Sequence, residues 1–266
     1  MTAGSESTQI AGMPRGGPDA SWLDRRLQTE ALEYTDRYDI PDEIKQRVVS
    51  ELDRLGTRRG FHEKFARIAL QQVAGVAAPR ILELGAGHGK LSEEILRQHP
   101  AAEVTVSDLD PQSVANIAAG PLGRDPRATL RVVDAAHIDA PAGSYDLVAF
   151  AQSFHHLPPD VAVRAIAEAT RVGTRFLVID LRRLPAPLMA VFPVLTLPLM
   201  VHQLLHRSGR AMMHDGLISM LRAYSTSALQ ALGTAADPAM SVHVIPVPVR
   251  LLTGVVYSRP AAGSGS

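Results

Sequence analysis

The chain has no cysteine among its 266 residues. This absence excludes disulfide bonds, thiolate zinc sites and thiol nucleophiles, and it suits a reducing compartment. A charge excess is also absent, because 27 Lys and Arg residues balance 27 Asp and Glu residues. A polyanion such as DNA or RNA is therefore a disfavoured partner.

Long uninterrupted apolar runs are scarce as well. One uncharged stretch extends from Pro185 to Val201, but Pro187, Pro193 and Pro198 break it. A membrane-spanning helix needs about 20 apolar residues, so no span is predicted, and contact with a membrane surface is a less favoured alternative. The first residues lack a basic region followed by an apolar core, so we expect no secretory signal and a cytoplasmic location.

Apolar, β-branched segments alternate with helical patterns through the middle of the chain. The pattern predicts five strands, near 80–84, 103–107, 129–133, 145–151 and 174–180, and three helices, at 90–98, 111–119 and 159–170. Two later apolar runs, 241–246 and 249–257, add a last pair of strands. This alternation predicts an α/β fold with a doubly wound, mostly parallel sheet of seven strands.

Composition divides the chain around this core. We predict a disordered tail at 1–20, helices at 21–78, the core at 79–180, a helical insertion at 181–224, the end of the core sheet at 225–260 and a flexible tail at 261–266. Three helices are expected in the amino-terminal region. The first carries an apolar stripe of Trp22, Leu23, Leu27 and Leu32, the second begins at Pro41 with Ile44, Val48 and Leu52 along its face, and the third covers 61–70.

A glycine turn follows the first predicted strand. Gly85, Gly87 and Gly89 alternate with other residues, and Glu83 stands two residues before the first of them. Dinucleotide-binding turns have a different glycine spacing and receive a pyrophosphate, which a neighbouring carboxylate would repel. A carboxylate is favourable beside an ammonium group, so the turn predicts S-adenosylmethionine, with backbone N–H groups around Gly87 and Gly89 receiving its carboxylate.

The motif at 83–89 resembles the first motif of the class I S-adenosylmethionine-dependent methyltransferases. The resemblance continues in order through the segments 106–110, 132–135 and 145–157, and it is closest to small-molecule methyltransferases of quinone biosynthesis. It implies a Rossmann-like methyltransferase fold whose last strand inserts antiparallel. It also implies that Asp108 holds the ribose hydroxyls and that Asp134 contacts the adenine amino group. The full cofactor set predicted is Glu83, Gly85, Ala86, Gly87, Gly89, Asp108, Leu109, Asp134, Ala135 and Gln152.

His155 and His156 are the acid–base candidates, with His156 preferred. They follow the fourth strand at the carboxyl edge of the sheet, where open α/β sheets bind ligands, and a neutral imidazole can take the proton of a phenol or enol. Tyr34, Tyr38, His202 and His206 are predicted to contact the substrate. No metal is expected, because the four residues after the fourth strand include no acid and a lone pair of histidines four residues apart is a weak signal.

These observations predict methyl transfer to a small, fairly apolar acceptor, through an oxygen of an aromatic, quinone-like or polyketide-like compound. Two alternatives stay open: carbon methylation of an enolisable small molecule, and a non-catalytic module that binds the cofactor to regulate a partner. We expect a monomer or a homodimer. The insertion at 181–224 is predicted to act as a mobile apolar lid over the acceptor.

Overall fold

A computed structural model describes residues 10–37, 39–195 and 207–260. The sheet consists of β1 (Arg80–Leu84), β2 (Glu103–Asp108), β3 (Ala128–Val132), β4 (Leu147–Ala151), β5 (Phe176–Leu181), β6 (Ser241–Ile245) and β7 (Leu252–Ser258). The strand order is β3-β2-β1-β4-β5-β7-β6. The first five strands are parallel, and β7 runs antiparallel between β5 and β6. The predicted seven-stranded, mostly parallel sheet is confirmed.

The helices pack on both faces of this sheet. They are α1 (Trp22–Arg26), α2 (Asp42–Arg58), α3 (Phe61–Gln72), α4 (Lys90–Gln98), α5 (Pro111–Ala119), α6 (Pro159–Val172), α7 (Ala186–Leu195), α8 (Arg207–Arg222) and α9 (Thr226–Ala236). Short 3₁₀ turns occur at Tyr34–Asp36, Leu122–Arg124 and Phe154–His156.

Alternate residues of the central strands enter two separate cores. Leu82 and Val148 face one core, whereas Ile81 and Leu147 face the other. All four side chains are fully buried, as expected for parallel strands with helices on both sides. Strands β2 and β3 are added on one side of β1, and β4 and β5 are added on its other side, so the strand order reverses between β1 and β4. Open α/β sheets bind their ligands at such a switch point, beyond the carboxyl ends of the strands.

The amino-terminal region differs from its prediction in two places. The first helix is only five residues long, and Trp22 and Leu32 are 71% and 51% exposed, so the predicted apolar stripe is wrong. Arg183 donates to the carbonyls of Asp24 and Leu27, so the side chain of Arg183 satisfies carbonyls that a longer helix would bond internally.

The second and third helices are confirmed, but the buried face of α2 differs from the predicted one. Val48 is 3% exposed, whereas Ile44 and Leu52 are 36% and 48% exposed. The prediction of Ile44 and Leu52 as part of a packed face is therefore wrong.

The predicted disordered tail is wrong for residues 10–20, and residues 1–9 lie outside the described residues, as does the predicted tail at 261–266. Arg15 is 1% exposed, and its Nη1 donates to the carbonyls of His155, Leu157 and Arg222 at 3.0, 2.9 and 3.1 Å. Its guanidinium lies 4.4 Å from the ring centroid of Tyr224. This segment therefore fixes the loop that follows β4.

We expect Arg15→Ala to lower the free energy of unfolding by about 2 kcal/mol. The carbonyls of His155 and Arg222 lose their donor, and each unsatisfied buried group costs about 1 kcal/mol or more. The carbonyl of Leu157 keeps the hydroxyl of Tyr224 as a donor. Urea unfolding followed by circular dichroism measures the change. Arg25→Ala is the control, since Arg25 is exposed and donates to the carbonyls of Ala20 and Pro18 in the same segment. If both variants lost the same free energy of unfolding, the hydrogen bonds of the buried Arg15 side chain would not be the cause.

The insertion contains α7 and α8, and residues 196–206 between them lie outside the described residues. Leu188, Val191 and Val194 of α7 are 43%, 47% and 71% exposed. In α8, by contrast, Asp215, Ser219 and Arg222 are buried. No helix among the described residues combines the length and apolarity needed to cross a membrane.

Candidate active site

The glycine turn connects β1 to α4 at the switch point of the sheet. Gly85 and Gly87 have φ values of 60° and 57°, in the left-handed region that glycine adopts without strain. A Cβ at Gly85 would lie 2.6 Å from Cε2 of Phe150, so the backbone there packs against the end of β4. A Cβ at Gly87 would lie 3.5 Å from Cγ1 of Val49, which shows that α2 covers the turn.

A polar contact also joins α2 to this turn. Nδ1 of His88 lies 2.6 Å from Oδ2 of Asp53, and Nε2 of His88 lies 3.0 Å from Oε1 of Gln46. His88 stands between Gly87 and Gly89, so the predicted cofactor turn and the amino-terminal helix are held together.

Asp108 lies at the carboxyl end of β2 and contacts the glycine turn. Its Oδ2 accepts the N–H of Gly87 at 2.9 Å, and its Oδ1 accepts the N–H of Asp110 at 3.0 Å. Burial raises the pKa of Asp108 above its ordinary value. The structure thus brings together the glycine turn and the acid that the sequence placed in one site. Leu109 next to it is 58% exposed.

Glu83 is buried at the end of β1, with 3% of its surface exposed. Its Oε2 accepts hydrogen bonds from both the N–H and the hydroxyl of Ser92 in the first turn of α4. Burial raises the pKa of Glu83 from its ordinary value of 4.5 to about 8. The described contacts of Glu83 are with the protein, and its predicted contact with a cofactor ammonium stays a prediction.

The raised pKa of Glu83 predicts a pH-dependent stability. Between pH 4.5 and about pH 8 the folded protein holds a proton that the unfolded chain releases, so stability falls as pH rises through this window. We expect Glu83→Gln to gain stability relative to wild type by about 1.4 kcal/mol for each pH unit in the window. Urea unfolding of the cofactor-free protein at several pH values tests this expectation. Glu103→Gln, at the exposed start of β2, is the control for the loss of a carboxylate.

The other predicted cofactor residues lie on neighbouring loops. Asp134 is exposed, and its Oδ1 accepts the N–H of Ala136 at 2.8 Å in a tight turn. Ala135 beside it is buried. Gln152 follows β4 with φ of 59°, the one non-glycine residue with positive φ among the described residues. Such a conformation costs on the order of 1–3 kcal/mol and is concentrated at functional sites, which supports the placement of Gln152 in the site.

His155 is buried between two carboxylates. Its Nδ1 lies 2.8 Å from Oδ1 of Asp180, and its Nε2 lies 3.3 Å from Oε1 of Glu33. Burial alone would lower the pKa of His155, but the charges of Asp180 and Glu33 outweigh burial and raise the pKa to about 9. The side chain of His155 is only 4% exposed and both of its ring nitrogens face carboxylates, so its predicted role as a general base stays a prediction and His156 is the more accessible of the two rings.

His156 has a more open environment, with 21% of its side chain exposed. Its Nδ1 lies 2.7 Å from Oδ1 of Asp36, and Nη1 of Arg222 lies 2.6 Å from Oδ2 of the same carboxylate. Burial would raise the pKa of Asp36, but His156 and Arg222 outweigh burial and lower it to about 2. An ionised carboxylate only accepts hydrogen bonds, so Asp36 fixes the proton of His156 on Nδ1 and directs Nε2 away from itself.

Tyr34 is the one predicted substrate residue that the structure describes. Its backbone N–H donates to Oδ1 of Asp215 at 2.9 Å, and its ring centroid lies 4.7 Å from that of His214. Tyr38, His202 and His206 lie outside the described residues.

Four residues of the site had no assigned role in the sequence, namely Glu33, Asp36, Asp180 and Arg222. Asp180 had a usable signal, because an acid at the end of a buried strand points to the ligand edge of the sheet. Glu33, Asp36 and Arg222 come from regions far away in the chain, and no local pattern pairs them with His156.

Comparison with known proteins finds that part of the chain is similar to methyltransferases. A model described as a methyltransferase domain matches residues 81–188. The malonyl-[acyl-carrier protein] O-methyltransferase of Geobacter sulfurreducens is 36% identical over 105 residues, which are 40% of this chain and 38% of that protein. The ubiquinone biosynthesis O-methyltransferase of Xanthomonas axonopodis pv. citri is 33% identical over 112 residues, which are 41% of this chain and 46% of that protein. The chain thus spans less than half the length of the curated relatives it matches.

A solved structure extends the similarity beyond the matched domain. The plantazolicin methyltransferase BpumL, in complex with SAH, aligns with a TM-score of 0.59 at 13% identity. The alignment covers 97% of this chain and 99% of that chain. At this low identity, the likeness shows a shared fold.

Proposed function

We propose that the chain transfers a methyl group from S-adenosylmethionine to an oxygen of a small, fairly apolar acceptor. An aromatic, quinone-like or polyketide-like compound fits this description. The similarity of residues 81–188 to a methyltransferase domain supports this proposal. The observation that carries the proposal is the hydrogen bond between Gly87 and Asp108, which joins the glycine turn to the acid at the carboxyl end of β2.

The residues of the turn fit the cofactor. Asp108 offers carboxylate oxygens for the ribose hydroxyls. The N–H groups of Gly87 and Gly89 donate to Oδ2 of Asp108 at 2.9 Å and to the carbonyl of Ala86 at 2.7 Å, so their contact with the cofactor carboxylate stays a prediction. Glu83 is assigned to the ammonium group, and Asp134 with Ala135 to the adenine. Gln152 is assigned to the methionyl part. Ala86 completes the backbone of the turn.

When bound, S-adenosylmethionine supplies a methyl group that its sulfonium already activates. The protein must then orient the acceptor, exclude water and take up the proton of the hydroxyl. Nε2 of His156 would accept that proton as the hydroxyl oxygen takes the methyl carbon from the sulfur, and S-adenosylhomocysteine would be the leaving group. Asp36 holds Nδ1 of the ring, and Arg222 holds Asp36, so the base keeps one orientation throughout.

We favour an oxygen rather than a carbon as the atom that receives the methyl group, because both relatives described above are named as O-methyltransferases. Carbon methylation of an enolisable compound uses the same base and remains the second candidate. A non-catalytic binding module is the third, and the partly exposed His156 argues against it, since a silent module needs no base.

A two-part experiment tests the proposal. Calorimetric titration with S-adenosylmethionine and S-adenosylhomocysteine tests cofactor binding, and folded protein that binds neither would end the proposal. A screen of phenols, quinols and enolisable ketones, read through the release of S-adenosylhomocysteine, then identifies the acceptor. Cofactor binding without turnover on any acceptor would favour the non-catalytic module.

The insertion is proposed to close over the acceptor as an apolar lid. Leu188, Val191 and Val194 of α7 offer exposed apolar surface, while the buried polar groups of α8 reach the site. We expect amide hydrogen exchange in 186–195 to slow when S-adenosylhomocysteine and acceptor are both bound, because closure shields the helix. Exchange in β6, at the far edge of the sheet, is the internal control and should stay constant. Unchanged exchange in α7 on binding of both would overturn the lid.

A further inference from the structure

Glu33, His155 and His156 form a cluster of three side chains that can each offer a metal ligand. A general base would need only one of the two histidines. One donor atom from each of Glu33, His155 and His156 lies within 4.8 Å of the other two. Glu33 and His155 are buried, and His156 is the partly exposed member. No other group of three or more such residues among the described ranges has this closeness.

Both rings present the same nitrogen to Glu33. Nε2 of His155 lies 3.3 Å from Oε1 and Nε2 of His156 lies 3.7 Å from Oε2 of the carboxylate. Two ligands held about 2.1 Å from a tetrahedral ion are themselves about 3.4 Å apart, so both spacings suit an ion between the three side chains. Nε2 of His155 is buried, and its contact with Oε1 of Glu33 does not have the geometry of a hydrogen bond.

Each candidate ligand is held by a second residue. Asp180 contacts Nδ1 of His155, Asp36 contacts Nδ1 of His156, and the hydroxyl of Ser219 donates to Oε1 of Glu33 at 2.8 Å. Metal-binding histidines usually donate their other ring N–H to a carboxylate in this way, and the second carboxylate orients the ligand nitrogen. The arrangement occurs here on both rings.

The charges around the cluster favour a cation. Three carboxylates, those of Glu33, Asp36 and Asp180, surround the two rings, and Arg222 pairs with only one of them. Arg15 donates to backbone carbonyls instead.

We propose that Glu33, His155 and His156 bind a divalent transition metal of the zinc type, with a fourth coordination position open on the exposed side of His156. Two imidazoles and one carboxylate suit such ions, whereas Mg²⁺ and Ca²⁺ prefer oxygen ligands alone. The site joins the segment before α2 to the loop after β4. The ion takes the nitrogen that accepts the proton in the proposed methyl transfer, so the metal-loaded and base-competent states exclude one another.

Zn²⁺ titration of chelator-treated protein without a histidine tag tests the site. We expect one equivalent to bind by calorimetry, and Co²⁺ to give the visible absorption of a four-coordinate ion. Glu33→Gln and His156→Ala should each weaken Zn²⁺ binding by about 100-fold or more, and Asp36→Asn by about 10- to 100-fold. His243→Ala, which removes an exposed histidine of β6, is the control and should leave the affinity unchanged.

Two further measurements keep the test decisive. Circular dichroism and S-adenosylhomocysteine affinity show whether the variants fold, and they distinguish failure of this site from failure of the proposed function. X-ray absorption of zinc-loaded wild type requires no variant and should report two imidazole ligands. Absence of stoichiometric binding, a spectrum without imidazole scattering, or full affinity in folded Glu33→Gln and His156→Ala would each overturn the metal site.

Discussion

Replacing His156 by alanine is expected to lower kcat about 10²- to 10³-fold in metal-free protein, while the Kd for S-adenosylhomocysteine changes less than about threefold. The reason is geometric. Nε2 of His156 is the ring nitrogen that Asp36 leaves free, and 21% of the side chain is exposed. Loss of the ring removes the acceptor for the hydroxyl proton but leaves the glycine turn intact. Steady-state rates and calorimetric titration measure the two quantities.

Asp36→Asn provides the matched test of orientation. An amide can donate to Nδ1 and turn the free lone pair away from the acceptor, so a smaller fall in kcat is expected with an altered pH profile. His243→Ala controls for the loss of a histidine elsewhere and should leave kcat unchanged. A loss of less than threefold in His156→Ala would show that the acceptor needs no base, as is chemically reasonable for an already ionised phenol.

Asp108→Ala is expected to weaken the binding of S-adenosylmethionine by about 10- to 100-fold, because hydrogen bonds to a charged group contribute about 1.5–3 kcal/mol. The structure adds a second reason, since Asp108 also holds the N–H of Gly87 in place. Asp108→Asn keeps an acceptor oxygen for that N–H and should recover part of the loss. Calorimetric titration gives both affinities.

Asp110→Ala is the control for Asp108, two residues away. Asp110 caps α5 by accepting the N–H groups of Gln112 and Ser113 at 3.2 Å. Its loss should lower the free energy of unfolding by about 1 kcal/mol and leave cofactor affinity unchanged. Equal losses of affinity in the two variants would mean that Asp108 acts only through local stability.

The cofactor half of the site could be predicted because its determinants are local. The glycine turn, Glu83 and the start of α4 lie within ten residues, and regular strand and helix lengths bring Asp108 to the same edge. The roles of His155 and His156 could not be separated in this way. They are neighbours in sequence, yet one ring lies buried between Asp180 and Glu33 while the other is partly exposed beside Asp36.

The segment before α2 shows a second limit of sequence patterns. Residues 10–20 have the composition of a disordered tail, but Arg15 is buried against the carbonyls of three residues from two distant parts of the chain. Composition measures how much apolar surface a segment can bury. It does not register a single side chain that satisfies backbone groups elsewhere.

The sequence by itself determined the alternation of strands and helices, the parallel sheet, the glycine turn and the acid of β2. These follow from the periodicity of apolar residues and from the backbone freedom of glycine, which act over a few residues. Only the tertiary structure decided which histidine is partly exposed and which carboxylates surround the pair. It also decided that Glu33 and Asp36 enter the site from the amino-terminal segment and Arg222 from the insertion. The charge state and exposure of a side chain depend on neighbours that are close in space and distant in the chain, so no local pattern contains them.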